Sequence, residues 1–195
     1  MNDIIHVVFD ASGSMNEMGK VHLQRNLCRY VAQRRCIDQE KYVDLDIRFY
    51  QWAQDISEIT IQSNGDIPPL NAEGSSNLRV LSDFLSQHLT DTGGARTLIL
   101  SDGNFSNSDI SSFQKQLSAR PELITRAVAV GADADLLKLK KISTNNSVHL
   151  SENISSAIDS TIFDSDEPFT APASTAQLRP SEPAELEGPE EDWDA

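Results

Sequence analysis

Short apolar runs of strand length alternate with helix-period segments from residue 4 to about 163, and this alternation limits the fold more than any other feature. Ile4 to Phe9 is a compact apolar run, the pattern of a strand buried on both faces. Leu23, Leu27 and Val31 then recur at four-residue spacing with Arg25, Arg29 and Arg34 off that face, so residues 20–37 read as an amphipathic helix. Val43 to Trp52 alternates, with Val43, Leu45, Ile47 and Phe49 set against Asp44, Asp46, Arg48 and Tyr50. Ile56 to Gln62 alternates too, and so few residues separate these two runs that they form an antiparallel hairpin. A loop over 63–75 leads to a helix from near Ser76 that carries Leu78, Leu81, Phe84, Leu85 and His88 on one side. Thr97 to Leu100 is a further strand, Ile110, Phe113 and Leu117 mark a helix, and Leu123 to Val130 is a strand stopped by Gly131. Asp135 to Ile142 is helical, Val148 to Leu150 is a short strand, and Ile154, Ala157, Ile158 and Ile162 outline a last helix. The expected fold is α/β: a mostly parallel six-stranded sheet with one antiparallel strand at an edge, helices on both faces and right-handed crossovers.

Charge separates this unit from the rest of the chain. The net charge is −14, and residues 164–195 carry 10 of the 30 acidic residues against the single Arg179. Five of the eight prolines also fall there. Such a composition buries too little apolar surface to offset ordering entropy, so 164–195 is expected to be a disordered tail beside a 1–163 domain. Within it, Glu190, Glu191, Asp192 and Asp194 surround a lone aromatic, Trp193, as a docking motif would. Acidity of this degree argues against nucleic acid, which needs clustered Lys and Arg, and against an anionic membrane surface. No apolar run approaches the ~18 residues of a membrane span. The first residues show neither a basic stretch nor a small-residue cleavage site, so no signal peptide is expected. Cys28 and Cys36, if on one helix, lie ~12 Å apart and cannot pair. The expectation is a cytoplasmic protein with reduced thiols.

In an open parallel sheet, ligands bind beyond the carboxyl ends of the strands, where strand order reverses. Three polar clusters converge on that end: Asp10-Ala11-Ser12-Gly13-Ser14, Gly74-Ser75-Ser76-Asn77 and Asp102-Gly103. Carboxylates at two strand ends repel unless something positive lies between them. The hydroxyls add neutral oxygen donors and no Cys or His joins them, which is a donor set for a hard cation such as Mg²⁺. With few charged ligands, such a metal stays electrophilic and can accept a carboxylate from outside. For a single Asp the bland alternative, a turn or helix cap, is strong, and Ser76 alone reads equally well as an N-cap. Asp133 and Asp135, also at a strand's carboxyl end, read as turn and cap residues, with proximity to the metal as the lesser alternative. His6, His22, His88 and His149 form no ligand pattern and read as core or surface histidines, and Tyr50 and Trp52 read as packing residues.

Taken together and in order, these clusters resemble the motifs of von Willebrand factor type A domains. Asp10-Ala11-Ser12-Gly13-Ser14 matches D-x-S-x-S, followed by Met15 and the Gly19-Lys20 helix start often seen there. Gly74-Ser75-Ser76-Asn77 resembles the G-G-T-[DN] loop, and Leu98-Ile99-Leu100-Ser101-Asp102-Gly103 resembles a hydrophobic strand ending in T/S-D-G. Ala127 to Asp133 and the short strand before the last helix extend the resemblance over roughly residues 3–163. It implies a Rossmann-like fold with a metal-ion-dependent adhesion site (MIDAS) for Mg²⁺ or Mn²⁺. Ser12 and Ser14 would ligate the metal directly, Ser76 would stand in for the threonine, and Asp10 and Asp102 would act directly or through water. Ser76 departs from the family pattern by a lost methyl, and Ser75 competes for that role.

The resemblance implies a non-enzymatic interaction module that completes the metal's shell with a Glu or Asp of a protein partner. Intracellular relatives of this type often work beside AAA+ ATPases or within bacterial stress and conflict systems. A second reading is self-assembly or autoinhibition, because the acidic segment at 190–194 hangs on a spacer that spans ~80 Å when extended. A Mg²⁺-dependent phosphotransferase is the third. The haloacid dehalogenase pattern needs a second Asp where Ser12 stands, and a response-regulator receiver needs paired acids near the first strand end and a later Lys. Neither a phosphate-binding G-x-x-x-x-G-K-[ST] loop nor a G-x-S-x-G elbow is present.

Overall fold

The computed structural model describes residues 4–38, 40–42, 45–62, 66–92 and 95–164. Strand β1 (Ile4–Asp10) is followed by α1 (Lys20–Ile37), β2 (Asp46–Trp52), β3 (Ile56–Ile59) and α2 (Leu78–Thr92). Then come β4 (Arg96–Ser101), α3 (Asn107–Ser118), β5 (Ile124–Ala129), α4 (Leu136–Ile142), β6 (Val148–Leu150) and α5 (Ile154–Phe163). The six strands form one sheet in the order β3-β2-β1-β4-β5-β6. All neighbours are parallel except β2 and β3, the hairpin expected from its short turn.

The period-2 geometry of the strands sorts the apolar side chains onto two faces. Val7 and Phe9, Leu98 and Leu100, and Val128 and Val130 point to a layer formed by α1 and α5. Val8, Ile99, Ala127 and Ala129 point the other way, against α2, α3 and α4. Because both faces are covered, β1, β4 and β5 are buried along nearly their whole length. The free thiol of Cys28 lies in the first layer, where burial raises its pKa and leaves it unreactive.

Several boundaries differ from the sequence pattern. Strand β2 begins at Asp46, residues 43 and 44 lying outside the described residues, and β3 ends at Ile59 rather than near Gln62. Tyr50, on the polar side of the alternation but read as a packing residue, is indeed buried, with its ring 4.7 Å from that of Phe84. It shares a core with Leu78, Leu81, Phe84 and Leu85 of α2, which covers that side of the sheet. His6 is a core residue with Nδ1 3.3 Å from the Tyr50 hydroxyl, His149 is buried in β6, and His22 is exposed. No helix among the described residues is long and apolar enough to cross a membrane. The tail motif Glu190, Glu191, Asp192, Trp193 and Asp194 lies outside the described residues.

Candidate metal centre

The chain moves from β1 outward to β2 and β3, then crosses back to β4 on the opposite side of β1. Strand order therefore reverses between β1 and β4, and a crevice opens beyond their carboxyl ends. Asp10 is the last residue of β1 and Asp102 follows the last residue of β4. Both carboxylates are buried at this switch point.

Backbone bonds bring the third polar cluster to the same place. Gly13 N donates to Gly74 O at 3.0 Å, Glu73 N to Ala11 O at 2.8 Å, and Asn77 N to Ala53 O at 2.9 Å. Backbone bonds thus stitch the loop before α2 to the exits of β1 and β2, and Asn16 Nδ2 and Trp52 Nε1 add bonds to Ala72 O and Asn77 O. Ser76, which leads into α2, is buried there, whereas Ser75 is exposed.

Asp10 organises the site. Its Oδ1 accepts from Ser12 N at 2.9 Å and from Ser76 Oγ at 2.8 Å. Its Oδ2 accepts from Ser76 Oγ at 2.9 Å and from Ser101 Oγ at 2.5 Å. Burial pushes the Asp10 pKa up, and the hydrogen bonds from Ser101, Ser12 and Ser76 only partly offset this. Among the described residues Asp10 makes no ion pair, so its buried carboxyl group is held by dipoles alone. Ser12 Oγ lies 3.1 Å from Ser14 Oγ, two neighbouring hydroxyls on one turn. Because Ser76 Oγ donates its proton to Asp10, its lone pairs are left for another partner.

Asp102 has different surroundings. Its Oδ1 accepts from Asn104 N at 3.1 Å and its Oδ2 from Lys20 Nζ at 2.9 Å. Lys20 Nζ also donates to Asp133 Oδ2 at 2.8 Å. Burial works against the Lys20 charge, but the bonds to Asp133 and Asp102 outweigh it and hold its pKa above the ordinary lysine value. Asp133 therefore belongs to the edge of the site rather than to a simple turn, while Asp135 caps α4 by accepting from Lys138 N at 3.0 Å. Sequence patterning missed Lys20 because a lysine at a helix start ordinarily reads as solvated. It missed Ser101 because the T/S of a strand-end T/S-D-G is not itself a charged group.

The five residues singled out from the sequence thus fall at one end of the sheet. Asp10, Ser12 and Ser76 share one hydrogen-bond network, Ser14 joins it through Ser12, and Asp102 sits beside it, next to Ser101. No group of three or more His, Cys, Asp or Glu side chains suited to a metal occurs among the described residues. The donor set here is instead hydroxyl and carboxylate oxygen, which fits a hard divalent cation. The buried, cation-free Asp10 is the observation that makes the fit more than compositional.

No family model matches the chain, and no curated protein does. Its fold does match solved structures. Proximal thread matrix protein 1 from the mussel byssus, solved with a zinc-occupied MIDAS motif, superposes with a TM-score of 0.60 at 13% identity, covering 80% of this chain and 45% of that one. The ArnB paralog VWA2 from Sulfolobus acidocaldarius gives 0.56 at 15% identity over 82% of this chain and 45% of its own. The von Willebrand factor type A protein from Catenulispora acidiphila gives 0.52 at 10% identity, covering 82% and 41%. This chain spans less than half the length of these three structures. The six-stranded sheet, the position of its switch point and these superpositions together establish that the chain has the von Willebrand factor type A fold.

Proposed function

We propose that this chain is a non-enzymatic protein-interaction module that captures a partner's Glu or Asp carboxylate through a divalent cation, Mg²⁺ or Mn²⁺. Ser12, Ser14 and Ser76 hold the cation, and Asp10 and Asp102 support it directly or through water. The observation that carries this reading is the buried Asp10, which binds Ser12, Ser76 and Ser101 at the strand-order reversal yet has no cation of its own among the described residues. The zinc-occupied MIDAS motif of the mussel protein supports a divalent metal at the equivalent end of this fold. In this role the protein is a cytoplasmic adaptor within a multi-protein assembly, of the ATPase-linked, stress or conflict kind.

Pull-down from the native cell with and without EDTA tests the proposal. Partners retained with Mg²⁺ and released by chelator, and lost with Ser14→Ala, are the expected outcome. Robust Mg²⁺-dependent phosphatase turnover abolished by Asp10→Asn would replace the module with an enzyme. If the segment containing Glu190, Glu191, Asp192, Trp193 and Asp194 fills the site in cis or in a second copy, deletion of 186–195 changes partner affinity or oligomeric state.

A further inference from the structure

Lys20 is the first residue of an 18-residue helix, where the helix dipole disfavours a cation, and its side chain is 1% exposed. Three features hold it there. Two carboxylates, from β4's exit and from β5's exit, bind the ammonium at 2.9 and 2.8 Å. The stem runs over Gly131, where a Cβ would lie 2.8 Å from the lysine Cδ, so only glycine leaves it room. The chain then enters α1 through Gly19, at φ 75°.

We infer that Lys20 is the charge-setting residue of the metal cradle: its ammonium takes up the charge of Asp102, so that the cradle binds a divalent cation weakly alone and strongly with an incoming carboxylate. The inference rests on the metal site proposed above. The formal charges of Asp10, Asp102, Asp133 and Lys20 sum to −2, so a divalent cation among them leaves the crevice neutral and open to one external carboxylate. Without Lys20 the same set sums to −3, and the loaded crevice, at −1, repels that carboxylate. Asp133, half-exposed at 43%, shares the ammonium with Asp102 and tempers the effect. Lys20 need not touch the metal. It acts through Asp102, as a positioning and charge-balancing residue.

Titration calorimetry with Mn²⁺, with and without saturating acetate, on the folded chain and its Lys20→Met, Asp133→Asn and Ser14→Ala variants tests this. A unit charge ~6 Å from a divalent ion changes affinity about tenfold even in bulk water. Lys20→Met is therefore expected to bind Mn²⁺ alone at least about tenfold more tightly and to lose most of the acetate-dependent gain. Its Mn²⁺-induced rise in melting temperature should also exceed that of the unaltered chain. Asp133→Asn, a half-exposed change that leaves the fold intact, should shift in the opposite sense, weakening Mn²⁺ several-fold as the ammonium falls wholly on Asp102. Opposite signs in the two variants are not produced by a lysine that only braces the fold. Mn²⁺ binding that is abolished by Ser14→Ala but unchanged or weakened by Lys20→Met would overturn the role of Lys20 and leave the metal site standing. Should Lys20→Met fail to fold, unchanged affinity in Asp133→Asn decides against the inference. Absence of any Ser14-dependent Mn²⁺ binding would overturn both.

Discussion

Ser101 Oγ, at the end of β4, donates a 2.5 Å hydrogen bond to Oδ2 of Asp10, at the end of β1, and in turn accepts Gly103 N at 3.0 Å. One hydroxyl thus ties the two strands that flank the crevice and directs both the carboxylate of Asp10 and the turn that follows Asp102. Ser101→Ala removes a donor from a carboxylate that stays buried. The expected cost is about 1–3 kcal/mol, measured by urea unfolding without metal, with m unchanged.

Divalent cation should stabilise the chain through the serine hydroxyls. At a concentration of about 100 times Kd, Mg²⁺ or Mn²⁺ contributes about 2.7 kcal/mol. For a domain of this size that raises the melting temperature by several degrees. Thermal unfolding of Ser12→Ala and Ser14→Ala should show most of that rise lost while the metal-free midpoint moves little. Equal rises in all three proteins would rule out these hydroxyls as ligands.

His149 carries a separate pH dependence. Burial, reinforced by the charge of Arg126, depresses its pKa, and its Nε2 has no hydrogen-bond partner among the described residues. The unfolded chain titrates this group near the ordinary histidine value of about 6.5. Between there and the lower folded pKa, the unfolded state binds more protons, so this contribution to stability is complete above about 6.5 and is lost as pH falls through the window. Denaturant unfolding at a series of pH values from 8 to 5 should show that loss, and His149→Leu should flatten it.

Gly103 lies at φ 79°, and a Cβ there would come within 2.8 Å of Asp135 O. Gly103→Ala therefore combines a left-handed backbone penalty with a clash against backbone that cannot swing aside. A loss of roughly 1–3 kcal/mol is expected by urea unfolding. Because the turn carries Asp102, metal affinity should fall with it.

The parts legible in the sequence were those written in local pattern. Val7, Phe9, Leu98, Leu100 and their opposite-facing neighbours declare a sheet covered twice, and Leu27 and Val31 declare the helix that covers it. The strand-end serines and aspartates were legible as a set because order along the chain and the carboxyl end of the sheet coincide. What escaped was non-local. Lys20 meets Asp133 across 113 residues, and no spacing rule announces that pairing. Tyr50 and Trp52 were legible as packing residues, although alternation alone sets Tyr50 with Asp46 and Arg48.

The backbone stitching of the 73–77 segment to the exits of β1 and β2 uses N–H and C=O groups of Ala11, Gly13, Ala53, Glu73, Gly74 and Asn77. Such bonds do not depend on which side chains occupy the segment, but they do depend on how many residues it has. Exposed Glu73 and Ser75 can change while Ser76 stays beside Asp10, whereas Gly74 at φ 74° and the buried Ala72 are held to small residues. A single inserted or deleted residue there would slide that hydroxyl out of reach, so the length of this loop fixes the site as directly as any side chain in it.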